Sequence, residues 1–587
     1  MANNSQYGSD LIVDLLQALG IEYFAYNPGT TFRGLHESLV NYSDGRPEMV
    51  LCLHEEIAVA MAQGYGAASG KPMAVGVHGI VGLEHAAMAL YNAWCDKSPV
   101  LILGGASPLD PHERRNRPDW LHAANVPGNL VRDLVKWDDY VVSSTGLVDS
   151  FVRAYRLAVE HPRGPVYICL DSQMQESLAI PPVELPPLGH LLEASPLYPD
   201  PGILKQVATL VVRAERPVIL ADQMGRTPET VASLRELAEL LAIPVIDLGR
   251  RFNFPNNHPL DLKGDAANLI SRADVILALD VEDLRGELLR GSTGNPPTPA
   301  SGCQVIDISL RDLAIRSLVQ DCQRFQPVDV TLMADTAAAL PQLVALCRKM
   351  AGKASPDGIL QRQERSKKRH DELRREWQRQ GESLSGEEPI AMGWLVHEIW
   401  PAIKNEDWVL TSGHAALVEW ARRLWVIDQP YQLIPAGGIG LGRGMGVAMG
   451  AALANRKQDR LVINLQPDGD LLYTPQAIWT AASNHIPLVV VVYNNRCYGN
   501  SEYFFALTAK SRGRNEETRG QGAYLDSPPV DFVSLARSFG AYAEGPIAEP
   551  DKIAPAVKRA VKEARKNSGP AVVEVLCRRT DNRHDVR

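Results

Sequence analysis

Two short polar clusters mark the segment LVINLQPDGDLLYTPQAIWTAASNHIPLVVVVYNNRCYGN, Leu461 to Asn500, as a place for chemistry: Asp468-Gly469-Asp470 and the pair Asn494-Asn495. A carboxylate and a carboxamide oxygen suit magnesium, which takes a few oxygen ligands, keeps some water and is usually shared with phosphates. Taken singly, either cluster reads as an ordinary turn or loop. Together, with 495 − 468 = 27 residues between Asp468 and Asn495, they read as a site for one hard cation and the phosphates of a cofactor.

The elements that must position them follow from residue type. Arg460 to Leu465 is a β-rich run. Pro475 to Ser483 has apolar residues at helical spacing with proline near its start, and Pro487 to Tyr493 is a valine-rich strand. Strand, helix and strand in this order form a right-handed crossover, so Asp468 and Asn495 leave the carboxyl ends of neighbouring parallel strands, the edge where open α/β sheets bind ligands.

The segment resembles the thiamine-diphosphate signature of the superfamily of pyruvate oxidase, acetolactate synthase and benzoylformate decarboxylase, in which GDG is followed by NN at about this distance. The resemblance implies that Asp468 and the Asn495 side chain bind magnesium with the Cys497 carbonyl as a third ligand, and that Gly469 and Asp470 belong to the cofactor site. The first glycine of GDG is Pro467 here, which removes one N–H from the diphosphate's surroundings.

A second constellation is LCLHEEIAVAMAQGYGAASGKP, where His54-Glu55 opens an amphipathic helix after an apolar strand. An acid in a helix's first turn suits the helix dipole. The segment is also similar to the superfamily's HEQ…GYA, which implies that Glu55 meets N1′ of the cofactor's aminopyrimidine and favours the imino tautomer that generates a C2 ylide. GGIGLGRGMGVAMGAALA, from Gly437, is a glycine-rich turn entering a packed helix. It resembles the segment beneath the cofactor, with Gly440 beside it and Leu441 as the apolar wedge between the two rings. Gly413 and His414 fall where the family meets the aminopyrimidine or diphosphate. NPGTTFRGLHESL and VHGIVGLEHAAMALYNAW resemble substrate-lining segments of benzoylformate decarboxylase, which points to Thr30 and to His78, the latter as a proton-transfer group.

At 587 residues and 45% hydrophobic content the chain has the material for three ordinary domains. A net charge of −9 argues against a general nucleic-acid binder. There is no 18-residue apolar run and no signal-peptide pattern, so a cytoplasmic protein without a membrane span is expected. The eight scattered cysteines contain no CxxC pair and read as buried thiols. Runs of strand and helix predict three doubly wound α/β domains with mostly parallel sheets. They are a pyrimidine-binding domain over 1–185, a central Rossmann-like domain over 195–350 and a diphosphate-binding domain over 385–587. The Pro-rich stretch IPPVELPPLGH reads as a linker, and QRQERSKKRHDELRREWQRQ as a solvated connecting helix.

In the middle domain FNFPNNHPLDLKGDAANLISRADVILALDVEDL resembles the family pattern, yet the segments associated with flavin are absent. FAD is therefore not expected, while an ADP-like or coenzyme A moiety stays compatible. The Arg-rich RCYGNSEYFFALTAKSRGRNEETRGQGAY and the CRRTDNRHDVR tail could close over the site, with Lys510, Arg512, Arg514 or the terminal arginines meeting the phosphates of a thioester and Glu502 near the reacting carbon. The resemblance thus implies a thiamine-diphosphate- and magnesium-dependent carbon–carbon lyase working through a carbanion or enamine. The candidates are a 2-oxo-acid decarboxylase or 2-hydroxyacyl-CoA lyase with carboligase capacity, acting on a small 2-oxo acid or acyl-CoA. An acetolactate synthase-like transferase is the enzymic alternative, and a non-catalytic regulatory relative the alternative of another class. In the superfamily Glu55 and the diphosphate site come from different subunits, which implies a homodimer at minimum, with tetramers common among relatives.

Overall fold

The computed structural model describes residues 6–114, 121–179, 183, 185–192, 195–289, 299–311, 326–350, 352, 355–434 and 440–579. Three parallel sheets organise them. The first contains β1 (Tyr23–Tyr26), β2 (Glu48–Leu51), β3 (Met73–Val77), β4 (Val100–Ala106), β5 (Asp138–Val141) and β6 (Val166–Asp171), in the order β2-β1-β3-β4-β6-β5. The second is built from β7 (Pro217–Ala221), β8 (Val245–Asp247), β9 (Val275–Leu279), β10 (Gln304–Ser309) and β11 (Val330–Met333), in the order β11-β10-β9-β7-β8. The third holds β12 (Trp408–Ser412), β13 (Leu461–Pro467), β14 (Leu488–Asn494), β15 (Tyr542–Ile547) and β16 (Pro570–Leu576), in the order β12-β13-β14-β16-β15.

Central strands are continuous apolar runs because helices cover both of their faces. All seven residues of β4 and all seven of β14 are buried. The edge strands lack that signature. β5 is the polar DDYV, mostly half-buried, and β11 alternates buried and exposed residues. Neither stands out in the sequence, because a short edge strand has only one neighbour to bury it.

By chain contacts the molecule divides into two compact units. One comprises Met1–Glu193, Gly381–Ala421 and Ala436–Arg587, and so contains the first and third sheets. The other comprises Ala194–Gln380 and Arg422–Pro435 and contains the second. Within the first unit, the Glu55–Ser69 helix lies against the Gly444–Asn455 helix. Small residues make this contact: a Cβ on Gly446 would stand 2.5 Å from that of Ala60, so the backbones approach as closely as glycine allows.

The charged run does form a long helix, Pro356–Ser383, but it is not solvated all round. Arg362, Ser366, His370 and Leu373 fall on one helical stripe and are buried against the second unit's own core. Arg362 Nη2 donates to the Leu241 carbonyl at 2.7 Å, and His370 Nδ1 is 2.9 Å from the Asp261 carbonyl. Part of the Pro-rich 180–190 stretch lies outside the described residues, while Val183, Leu185 and Leu188 pack on the first domain's core. Five described cysteines are buried and Cys95 and Cys303 are half-buried; Cys322 lies outside the described residues.

Candidate active site

β13 and β14 pair in register to Pro467 and Tyr493, so the residues that follow each strand emerge side by side at the carboxyl edge. After β13 the chain forms a single helical turn, Asp468–Leu471, where the sequence suggested a plain Asp-Gly turn. Pro467 caps it with φ of −66°, an angle proline already has, so the missing glycine costs the turn no strain.

After β14 two successive side chains turn the chain. Asn494 Oδ1 accepts from Arg496 N at 3.1 Å, and Asn495 Oδ1 accepts from Cys497 N at 3.0 Å. These are Asx turns in tandem, and they hold Arg496 at a φ of 53°, in the left-handed region. Asn494 is in turn anchored by its Nδ2 donating to Glu574 Oε1 at 2.7 Å. Asn494 is thus a positioning residue that the NN pair signalled only jointly.

A cavity of about 260 Å³ opens here, with Asp468, Asn495, Cys497, Leu441, Gly413, His414 and Tyr498 among its lining residues. Asp468 Oδ1 accepts from Gly469 N at 2.8 Å, while Oδ2 is buried and has no hydrogen-bond partner. Burial pushes the Asp468 carboxyl up to about 6. A buried carboxylate oxygen without a partner is costly alone. Beside the Asn495 amide and the Cys497 backbone it fits a hard divalent cation.

Asp470 lines the same cavity but its oxygens are directed at the glycine loop. Oδ1 accepts from Gly442 N at 2.9 Å, and Oδ2 from Gly444 N at 3.1 Å and Gln466 Nε2 at 2.7 Å. Gly442 has a φ of +96°, which requires glycine, and Thr474 Oγ1 donates to its carbonyl at 2.6 Å. Asp470 therefore shapes the loop that carries Leu441, and Gly440 is held by Asn92, whose Oδ1 accepts from its N–H at 3.0 Å. Residues 435–439 of the glycine-rich segment lie outside the described residues. His414 is half-buried; its enclosure pushes it down to about 4, so the ring is neutral. Its Nδ1 accepts from Ala416 N at 3.2 Å, leaving Nε2–H as the donor.

The first sheet supplies a second cluster, near its topological switch point between β1 and β3. His54 caps the Glu55–Ser69 helix by accepting from Glu56 N at 3.1 Å, which fixes Glu55 in the first turn. Glu55 is 5% exposed, and its Oε2 lies 3.2 Å from His85 Nδ1. A methyl group on Gly82 would come 2.6 Å from Glu55 Oε1 and 3.2 Å from His78 Cβ, so these two side chains flank one turn of the Gly79–Cys95 helix.

His78 sits in a chain of hydrogen bonds. Thr31 Oγ1 accepts from Gly79 N at 2.9 Å and lies 3.1 Å from His78 Nδ1, while His78 Nε2 lies 3.0 Å from His122 Nδ1. A hydroxyl already accepting from Gly79 is free to donate to Nδ1, which assigns the proton of neutral His78 to Nε2. The threonine that meets His78 is thus Thr31; Thr30, singled out from the sequence, is exposed. His85, His122 and Thr31 escaped notice because their signal is purely spatial.

Glu502, in the Gly499–Ser511 helix, is 3% exposed and outside the described lining of the cavity. Its Oε1 accepts from Arg519 Nε at 3.1 Å and Tyr524 Oη at 2.8 Å, and its Oε2 from Cys497 Sγ at 3.4 Å. Lys510 is exposed at the far end of that helix, about 16 Å from its first residue at the helical rise, and Arg512 and Arg514 are exposed just beyond it. Arg583 and Arg587 of the tail lie outside the described residues.

Known proteins place this architecture. Models of the thiamine pyrophosphate enzyme N-terminal TPP binding domain, central domain and C-terminal TPP binding domain match residues 6–124, 204–343 and 414–575. The chain belongs to the thiamine pyrophosphate enzyme family. It is 27% identical over 508 residues to the benzoylformate decarboxylase of Pseudomonas aeruginosa, covering 84% of this chain and 85% of that one. It is 26% identical over 513 residues to acetolactate synthase 1, chloroplastic, of Nicotiana tabacum, covering 84% of this chain and 71% of that one. Its fold is shared with the crystal structure of benzoylformate decarboxylase from Polynucleobacter necessarius, with a TM-score of 0.76 at 22% identity over 98% and 99% of the two chains. Among the described residues no helix is long and apolar enough to cross a membrane.

Proposed function

We propose that the protein is a thiamine-diphosphate- and magnesium-dependent carbon–carbon lyase that decarboxylates a 2-oxo acid. The observation that carries this reading is the buried, unpartnered Asp468 Oδ2 beside Asn495 at the ends of β13 and β14. Asp468, Asn495 and the Cys497 carbonyl hold magnesium, and the magnesium neutralises the diphosphate. When bound, thiamine diphosphate supplies a nucleophilic carbon and an electron sink for the bond being broken.

The remaining tasks fall to the chain. Asp470 and Thr474 keep the glycine loop in shape so that Leu441 presents an apolar face to the cofactor. His414, neutral at Nε2–H, donates a hydrogen bond without adding charge. Glu55, enclosed beside His85, holds a proton at its carboxyl for the aminopyrimidine. His78, oriented by Thr31 at Nδ1, exchanges its Nε2 proton with His122 and so links that ring to proton transfer at the substrate. Assembly as a homo-oligomer, in which Glu55 of another copy serves the site, belongs to this reading through the family resemblance.

A second reading, cleavage of a 2-hydroxyacyl-CoA, is favoured by the exposed Lys510, Arg512 and Arg514, cations of the kind that bind the phosphates of a long anionic substrate. Incubation with benzoylformate, pyruvate and a 2-hydroxyacyl-CoA separates the readings by their products: carbon dioxide, acetolactate and formyl-CoA respectively. Carbon dioxide from an aryl 2-oxo acid is expected. Formyl-CoA as the main product would replace the decarboxylase reading with the second.

A further inference from the structure

Glu55 has a neighbour that its own role leaves unexplained. The Glu55 residue is 5% exposed and its Oε2 lies 3.2 Å from His85 Nδ1, while 58% of the His85 side chain is exposed. One ring thus touches both a buried acid and water. The two residues are set by different elements, Glu55 in the first turn of the Glu55–Ser69 helix and His85 within the Gly79–Cys95 helix.

His54, Glu55 and His85 bring one ligand atom each within 4.8 Å of the others, the donor set of a transition-metal site. Their geometry points elsewhere. His54 Nδ1 already accepts from Glu56 N, and the His54 and His85 rings are stacked, with 4.7 Å between centroids and 21° between planes. A nitrogen lone pair lies in the plane of its ring, so two rings face to face cannot both aim one at a single ion. The stack instead holds the His85 ring beside Glu55.

The same stack decides which ring carries charge. Burial first and then the His85 charge push His54 below the usual imidazole range, against a smaller upward pull from Glu55. Of the two rings, His85 is therefore the one that takes a proton. Glu56, His78 across Gly82 and the Cys52 thiol, which burial pushes well up, also stand near Glu55. Glu56 and Cys52 are buried and His54 and His78 half-buried, so the exposed His85 is the outlet from this cluster to solvent.

On the reading of Glu55 as the acid that protonates the aminopyrimidine, we infer that His85 is a positioning residue that relays protons between solvent and the Glu55 carboxyl. Conversion of a 2-oxo acid anion to an aldehyde and carbon dioxide takes up one proton per turnover, and an acid as enclosed as Glu55 must be recharged through a neighbour. Imidazolium His85 breaks its Nδ1–H bond and keeps the electron pair. The proton forms an O–H bond at Glu55 Oε2, and the carboxylate becomes the carboxylic acid. The ring is left neutral with its remaining proton on Nε2. It then turns Nδ1 to solvent, where a buffer acid restores the proton.

The test follows deuterium exchange at the thiazolium C2 position of bound thiamine diphosphate, by acid quench and proton NMR, in the magnesium-loaded full chain. His85→Ala should slow exchange about tenfold or more with cofactor affinity within about twofold of the parent, and added imidazole should restore the rate. His85→Asn keeps a hydrogen-bond partner for Glu55 but cannot carry a proton, so it should be as slow as His85→Ala. Exchange at the parent rate in His85→Asn, or slow exchange in His85→Ala that imidazole does not restore, would overturn the proposal. So would unchanged exchange in His85→Ala where Glu55→Gln collapses, an outcome that leaves the Glu55 reading standing. Unchanged exchange in Glu55→Gln would remove both. The His85 variants alter an exposed side chain and should melt as the parent does, which keeps loss of exchange distinct from loss of fold.

Discussion

Tyr524 donates its hydroxyl to the Glu502 carboxylate at 2.8 Å, and that bond folds the chain after β14 back onto its own start. Tyr498 N donates to the Ala523 carbonyl at 2.8 Å and Leu525 N to the Arg496 carbonyl at 2.8 Å, so the same return also grips the turn that presents Cys497. The Arg579 guanidinium lies 3.6 Å over the Tyr524 ring and closes the other face. Glu502 therefore touches Cys497 on one side and the return segment on the other.

Because of that placement, Glu502→Gln should loosen the Cys497 turn rather than stop proton transfer. Magnesium-dependent cofactor binding is expected to weaken about tenfold, ~1.4 kcal/mol, with kcat at saturating cofactor within about twofold of the parent. Tyr524→Phe should follow in the same direction. A collapse of kcat with cofactor affinity intact would instead place Glu502 in proton transfer, as its position in the sequence suggested.

Asp468→Ala removes the buried oxygen that has no protein partner. Thiamine diphosphate with magnesium should raise the melting temperature of the parent, by ~2.7 kcal/mol of added stability at a hundredfold excess over Kd. The variant should fold and show no such magnesium-dependent gain. An equal gain in parent and variant would show that Asp468 holds no metal.

Glu56 carries a prediction for stability. Burial and then the Asp470 charge push its carboxyl from 4.5 up to about 7, and its Oε1 has no partner. The fold thus keeps a proton that the unfolded chain has lost between pH 4.5 and 7. Stability from this group is present below about 4.5, falls as pH rises through that window and is lost above about 7, a change on the order of 3 kcal/mol. Glu56→Gln should melt higher than the parent at pH 8 and alike at pH 4.5. A gain that does not depend on pH would contradict this account.

Thr31→Val keeps the shape but removes the hydroxyl between Gly79 and His78. The His78 tautomer then loses its fixed orientation, and turnover should fall about tenfold with an altered pH profile, while His78→Ala should cost roughly 10²–10⁴. Thr30→Val, on an exposed residue, should change little. Equal effects at the two threonines would remove the assignment.

Much of the fold was legible because buried parallel strands are apolar runs: β3, β4, β9 and β14 announce themselves. The polar edge strand β5 did not, and neither did the buried stripe of the Pro356–Ser383 helix, since Arg362 and His370 are polar residues satisfied by backbone carbonyls far away in sequence. The candidate site divides in the same way. Asp468 and Asn495 were readable because a crossover ties their spacing to one sheet edge. Thr31, His85 and His122 were not, because each acts across 30 to 47 residues through a contact that no local pattern encodes.

The most direct measurement is carbon dioxide release from benzoylformate by the purified chain with thiamine diphosphate and magnesium, comparing the parent with Glu55→Gln. Turnover in the parent that vanishes on removing either cofactor is expected, with a loss of about 10² or more in the variant while cofactor binding is retained. Full turnover in Glu55→Gln, or turnover in the parent without thiamine diphosphate, would contradict it.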